Sequence, residues 1–485
     1  ETLLAHAEDA RLSLKLVRLD DRAAPPAPMA DFAVRPPDGE TLLKFLKSME
    51  FAALARRAAG VLWNRAEAAM EKSHEAAADP AAVPFDCDAY ETVSGLDRLD
   101  WWIAEAKKNG LVSVDTETTS LDAMQAGLCG VSLALSPGKA CYIPCGHTSG
   151  DGFAFADAEG QIAEKDLIAR LKPLLEDAAV LKIGQNLKYD YLIFLQRGIR
   201  IVSFDDTMLM SYVLDAGLHG HGMDELSELH LGHKPIAFTD VAGKGKDKVT
   251  FDKVPVKEAT RYSGEDADVT LRLWQVLKPR LAAERKRTVY ETLERPLVPV
   301  LVDMERAGVA VDTVLLRKLS NDFAVEQAAL EKEIHALAGG EFNVASPKQL
   351  GEILFDKLSL PGGKRTKTGA WVTDADTLED LAAGGNELPQ KVLDWRGLAK
   401  LRGTYTDALP NHINPQTGRV HTSFAMAGTT TGRLASTDPN LQNIPVRTSQ
   451  GRRIRQAFVA PFGKKLVSAD YSQIELRLLA HVADI

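Results

Sequence analysis

Leu-Val-Ser-Val-Asp-Thr-Glu-Thr, residues 111–118, is the stretch on which the reading of the fold turns. Apolar and polar residues alternate through it, the pattern of a half-buried β-strand, and a period of two puts Ser113, Asp115 and Glu117 on one side. Both carboxylates then reach one point. Two more acidic stations follow at nearly even intervals. In Val-Leu-Lys-Ile-Gly-Gln-Asn-Leu-Lys-Tyr-Asp, 180–190, an apolar run closes at Gly184 and a helical pattern through Leu192, Phe194 and Leu195 begins, so Asn186 and Asp190 are expected to share a helix face. Tyr-Ser-Gly-Glu-Asp-Ala-Asp-Val-Thr-Leu-Arg-Leu, 262–273, is helical in spacing too: Tyr262 and Asp266 project together while Leu271 and Leu273 pack.

Oxygen ligands of this kind suit hard divalent cations, and Mg²⁺ in particular is held by a few carboxylates while it keeps waters and substrate phosphates. Asp115, Glu117, Asp190 and Asp266 are therefore the candidate ligands of two Mg²⁺ or Mn²⁺ ions. Such a pair stabilises both the attacking and the leaving oxygen of phosphodiester cleavage, with Tyr262 placed to orient the water.

Each motif taken singly is a common surface pattern. In this order, Asp-x-Glu, Asn-x-x-x-Asp and Tyr-x-x-x-Asp resemble the proofreading 3′ to 5′ exonucleases over residues 87–280. The resemblance implies a ribonuclease-H-like α/β domain with a mixed sheet, acting on single-stranded DNA 3′ ends. Leu121 would wedge beside the terminal base, with core packing as the alternative, and Asn186 would touch DNA.

At 485 residues and 45% hydrophobic, the chain is long enough for about three domains. No apolar run approaches the roughly 18 residues a membrane span needs, and Glu-Thr-Leu-Leu-Ala-His lacks the basic and apolar regions of an export signal, so a cytoplasmic monomer is expected. The cysteines, Cys87, Cys129, Cys141 and Cys145, are too sparse for a disulfide framework. Cys141, Cys145 and His147 lack a clear fourth zinc ligand. Histidines 219, 221, 230 and 233 flank Asp224, expected to be a helix N-cap, and could mimic a metal tract, with surface positions the expectation. A net charge of −9 conceals an asymmetry: residues 344–465 hold 17 lysines and arginines against 10 acids. A basic stripe on an acidic body is what a phosphate-tracking groove requires.

Residues 1–21 read as a short charged segment and 22–86 as a linker and helical connector, with prolines at 25, 26 and 28, a helical patch from Glu40 to about Lys72 and an alanine- and proline-rich stretch at 76–84. Residues 87–280 alternate short apolar strands with helices such as 165–175, an α/β pattern. Beyond them, 290–307 and 314–338 are long helical patterns, and Gly363-Lys364-Arg365-Thr366-Lys367-Thr368-Gly369 is a basic loop within a third helical region, suited to a DNA backbone.

Thr-Thr-Gly-Arg-Leu-Ala-Ser-Thr-Asp-Pro-Asn-Leu-Gln-Asn-Ile-Pro-Val-Arg, 430–447, is dense in amides, hydroxyls and arginines, which suits a polar partner or a hydrogen-bonded loop. Arg452, Arg453 and Arg455 extend the positive surface. In Lys-Lys-Leu-Val-Ser-Ala-Asp-Tyr-Ser-Gln-Ile-Glu-Leu-Arg, 464–477, a strand is expected to carry Asp470 to its end, with a helix from about Ser472. These two stretches resemble the family A DNA polymerases and, with the exonuclease motifs, their bacterial members that also proofread.

That resemblance implies that residues 281–485 are a helical thumb and the start of an α+β palm, and that residues 1–21 end a 5′ nuclease domain. Asp470 would be one of two palm metal ligands, and Glu475 would screen out ribose 2′-hydroxyls. Arg433 would touch the primer terminus. Asn440, Gln442, Asn443 and Arg447 would contact template or primer strands, and Lys400 would grip the duplex from a thumb spanning 348–405. The partners implied are primer–template duplex and, in a longer parent, deoxynucleotides. The family's fingers helix and second palm carboxylate would follow Ile485, so the expected activity of this stretch alone is 3′ to 5′ exonuclease, without polymerisation or flap cleavage. A silent primer–template binder and one half of a split polymerase are the competing expectations.

Overall fold

The computed structural model describes residues 83–149, 156–157 and 160–483, which lie within one compact unit, Pro80–Ile485. The charged segment at 1–21, its proline connector, the helical patch from Glu40 and most of the stretch at 76–84 fall outside the described residues.

The first element with a sharp local cause is helix α1, Leu96–Asn109, which ends at Gly110 in the left-handed region (φ 72°) and turns at once into a strand at Leu111. That strand, β2 (Leu111–Thr118), lies third from one edge of a six-stranded sheet. The others are β1 (Glu91–Thr92), β3 (Leu128–Ser136), β4 (Lys139–Pro144), β5 (Leu181–Gly184) and β6 (Phe204–Asp206), in the order β1-β4-β3-β2-β5-β6. Strands β2, β3 and β4 run antiparallel, whereas β5 and β6 join parallel to β2. The sheet is mixed, as expected.

The expectation of a half-buried β2 is corrected. Val112, Ser113, Val114, Thr116 and Glu117 are all buried, because both faces are covered. On one face Val112 and Val114 join the core that holds Leu99 and Trp102 of α1. On the other runs a 28-residue helix, α6 (Val256–Ala283), in which every residue from Ser263 to Leu273 is buried. Its charges there have fixed partners: Asp268 pairs with Arg272 four residues on and accepts a hydrogen bond from Tyr90 at 2.8 Å.

Four further helices flank the sheet: α2 (Glu164–Leu175), α3 (Lys188–Gln196), α4 (Thr207–Asp215) and α5 (Met223–Leu231). The N-cap of α5 is Gly222, and Asp224 sits in its first turn, which corrects the cap assignment. The four nearby histidines are half-buried, not on the surface, since three engage side chains: Asp215 (His219), Ser211 (His221) and Glu265 (His233).

Beyond the sheet domain, α7 (Arg295–Ala307) leads to α8 (Thr313–Ala338), capped by Asp312, whose carboxylate accepts from the amides of Val314 and Leu315 at 2.9 Å. Helix α8 packs against α9 (Glu387–Leu401). The basic loop projects between helical segments, with the Arg365 guanidinium 3.9 Å above the Trp371 ring. Arg453, expected on a positive surface, is instead paired with Asp322 and Glu326, fastening α10 (Ser449–Arg455) to α8. The strand expected before Asp470 is also absent: residues 464–470 carry no strand pairing, Leu466 and Val467 are exposed, and helix α11 (Ile474–Ala483) starts two residues later than expected. An isolated extended segment has no ladder to join, which removes the reason for a strand.

Gly130 in β3 carries a requirement for the sheet. A Cβ there would lie 2.3 Å from the Tyr142 ring of β4, and that ring cannot retreat, being buried with its hydroxyl 2.7 Å from His147 Nε2. Gly130→Ala is expected to cost about 1–3 kcal/mol of overpacking strain, read as a lowered calorimetric transition with the fold retained.

Candidate functional site

Two chain segments deliver three carboxylates to one place, and Asp190 lies outside that group. Strand β2 supplies Asp115 and Glu117, and α6 supplies Asp266; one oxygen from each lies within 4.8 Å of the others. Tyr262, one turn before Asp266, lies close enough to act on that carboxyl, so the shared helix face read from the sequence is present. Its ring is held by Phe238 and Phe251, with centroids 6.1 and 5.8 Å away.

Asp190 arrives differently. Strand β5 pairs with β2 only from Leu111 to Ser113, and past that point the β2 edge has free amides. Helix α3 begins just beyond the end of β5, and Asp190 in its first turn accepts from the amide of Thr116 at 3.0 Å and from the Thr116 hydroxyl. The carboxylate thus occupies the place a ladder partner would take. Asn186 does not share its helix face: it precedes α3 in the left-handed region (φ 56°), and its backbone N–H donates to Asp206 Oδ1 at 3.1 Å. A residue in a left-handed turn before the helix is outside the helical register, which is why i,i+4 reasoning fails there.

Two supports escaped the sequence reading. Ser263 donates to Glu117 Oε1 at 2.8 Å, and the Thr116 backbone and hydroxyl hold Asp190. The signal for Ser263 was present, since it stands three residues before Asp266 on the same helix. Nothing in the local pattern marks Thr116, because its role depends on where β5 stops.

Burial raises all four carboxyls far above the usual range: Asp115 to about 7 and Glu117 to about 8, with Asp190 and Asp266 raised well above. The second cause is mutual repulsion, since Asp115 acts on the other three. No lysine or arginine figures among the groups acting on any of the four, and Asp266 Oδ1 is buried without a hydrogen-bond partner among the described residues. Buried anions with no basic partner and an orphaned oxygen fit a divalent cation. The Tyr262 hydroxyl is also pushed above its ordinary range, by burial and then by Asp266, so it stays a phenol.

Beside this centre opens a cleft of about 860 Å³, lined by Leu121, Gln185, Asn186, Tyr189, His221 and Phe424 among others. Leu121 is 95% exposed, so it packs in no core. Tyr189 donates to the Ser120 carbonyl and shares a hydrogen bond with Thr118, fixing the loop that presents Leu121.

The remaining sequence-derived candidates lie elsewhere. Asp470 and Glu475 are exposed, and Asp470 belongs to neither group of metal-competent side chains among the described residues. Lys400, Arg433, Asn443 and Arg447 are exposed. Gln442 spends its amide on the Ser436 amide and the Leu434 carbonyl, and Asn440 accepts from the amides of Gln442 and Asn443, so both brace their own loop. Cys141 is buried in β4, and His147 is committed to Tyr142 and the Val254 carbonyl, away from a zinc role.

Comparison with known proteins agrees with this layout. Residues 90–282 match the 3′-5′ exonuclease family and residues 313–485 match DNA polymerase family A. The chain is 50% identical to DNA polymerase I of Rhizobium leguminosarum, over 100% of this chain and 54% of that one. It is 47% identical to the Pseudomonas aeruginosa DNA polymerase I, over 83% of this chain and 44% of that one. Among solved structures, the polymerase domain of Pol1 from M. smegmatis, in complex with DNA primer-template and dNTP, matches with a TM-score of 0.65 and 30% identity, covering 81% of this chain and 63% of that one. The chain thus spans about half the length of these curated relatives.

The raised carboxyls set a stability trend. Their folded-state values lie above the ordinary 3.8 and 4.5, so their contribution to folding is full in acid and is lost as pH rises through about 7 and 8. With chelator present, these two groups are expected to lower the melting temperature progressively from about pH 4 to about pH 8, and Mn²⁺ is expected to flatten that fall by compensating the ionised acids.

Proposed function

The chain belongs to DNA polymerase family A and carries a 3′-5′ exonuclease domain, and on that premise we propose that its sheet domain removes nucleotides from single-stranded DNA 3′ ends in a reaction dependent on Mg²⁺ or Mn²⁺. The observation that carries this reading is a set of four carboxyls, Glu117, Asp190 and Asp266 buried and Asp115 half-buried, without a basic partner among the described residues. Asp115, Glu117 and Asp266 would hold metal, with Asp190 completing the set. Two ions bound there would supply charge compensation and Lewis acidity for phosphodiester hydrolysis.

The chain's own residues do the rest. Ser263 and Thr116 fix the orientation of Glu117 and Asp190. Tyr262, protonated at every working pH, has a hydroxyl to place a water against the scissile phosphate. Exposed Leu121 stands at the cleft where a terminal base would be unstacked, and Asn186 and Gln185 line the same wall.

In the longer protein, the region from 313 onward would serve template-directed DNA synthesis, with Lys400, Arg433, Asn443, Arg447 and the basic loop on the primer–template duplex, Asp470 on metal, and Glu475 selecting deoxyribose. The +7 balance of residues 344–465, 17 bases against 10 acids, supports a phosphate-tracking surface. A cytoplasmic monomer suits the four free thiols and the lack, among the described residues, of any helix long and apolar enough to cross a membrane.

Incubation of 3′-labelled single-stranded DNA with Mg²⁺ or Mn²⁺ should release mononucleotides, and no release would overturn the reading. Asp190→Ala should lower that release by at least about a hundredfold while a gel shift with the same DNA is retained, because it deletes a metal ligand and no phosphate contact.

A further inference from the structure

A second cluster lies outside the acidic centre, where α4, the loop after it and α5 meet. Asp215 ends α4, His219 follows four residues on, and His230 sits in the last turn of α5. One ligand atom of each lies within 4.8 Å of the other two. The edges of a tetrahedral zinc site are about 3.3–3.5 Å, given ligand bonds of about 2.0–2.1 Å, so small side-chain rotations close the set.

The proton positions favour lone pairs at the centre. His219 Nδ1 lies 2.6 Å from the Gly220 carbonyl oxygen, which only accepts, so that nitrogen carries the hydrogen. Its Nε2 faces Asp215 Oδ2 at 3.6 Å, too long for a good hydrogen bond and a suitable edge for a bridged ion. His230 Nε2 is shielded from solvent and has no hydrogen-bond partner among the described residues. Burial lowers the pKa of His230, and neighbouring Arg280 lowers it further, which keeps the ring neutral and able to ligate. Asp215 accepts two hydrogen bonds from Arg280 at 2.9 Å, the outer support a ligating carboxylate commonly has. That guanidinium already balances the carboxylate charge, so attraction for a hard cation is weak and the imidazoles decide the affinity.

We propose that Asp215, His219 and His230 form a binding site for a borderline transition-metal ion of the Zn²⁺ class, separate from the acidic centre. The site would staple the loop between α4 and α5, where a Cβ at Gly217 would meet the Thr430 side chain at 3.3 Å and whose neighbour Tyr212 accepts from the Gly432 amide at 3.0 Å, beside Arg433.

The test uses the full chain carrying Asp115→Asn and Asp266→Asn, so that the acidic centre does not take up the probe ion. Titration with Zn²⁺ by calorimetry, and with Co²⁺ by visible absorption, should show one saturable equivalent. Either His219→Gln or His230→Gln should weaken it by at least about tenfold. His219→Gln in the otherwise unaltered chain should leave Mg²⁺-dependent exonuclease activity unchanged, and its melting temperature in chelator checks that the fold is kept. Absence of saturable binding in the double-asparagine background, or binding indifferent to both histidine changes, would overturn the proposal: an Arg280–Asp215–His219 ion-pair network would then account for the cluster.

Discussion

Four carboxyl groups, three buried and Asp115 half-buried, with no cationic side chain among the described residues acting on them, are the constraint around which the sheet domain is built. Burying ionised acids in a low-dielectric interior is costly, and here each raises the cost of its neighbours. The protein meets that cost with protons, shown by the raised values of Asp115 and Glu117, or with a cation. The same feature that is expected to weaken the fold at high pH would make the place a receptor for divalent charge, as proposed above.

Everything close to the centre serves to hold anions that repel. Helix α6 is buried along its middle, which restrains Asp266, while the Tyr262 ring is packed against Phe238 and Phe251. The β2 edge is opened by the early end of β5, and Asp190 fills it by accepting from Thr116. Glu117 is tied by Ser263. Function at this site therefore rests on where ladders end and which helices are fully covered, as much as on the acids.

The domains are fastened by a contact of the opposite kind. Lys188, two residues before Asp190, is buried against Glu305 of α7, and Glu305 also accepts from the Phe424 amide at 2.7 Å. An uncompensated charge at either position would be expensive, so the pair fixes α3 against α7 and against the short strand at Ser423–Ala425. The wall of the cleft and the acid that completes the centre thus depend on one buried ion pair.

The sequence by itself determined the three acidic stations, the α/β order and the long helices α6 and α8, because periodicity and residue type are local properties that survive without knowledge of neighbours. It also identified both families, through motifs whose spacing is set within a few residues. The tertiary structure alone decided that β2 is covered on both faces, that Asn186 leaves the helix, that Gln442 and Arg453 serve their own fold, and that no strand forms before Asp470. It also brought His219 and His230 to Asp215. Each of these depends on partners distant in the chain: a strand exists only beside another strand, and a charged side chain is free or spent according to what the fold places within reach of it.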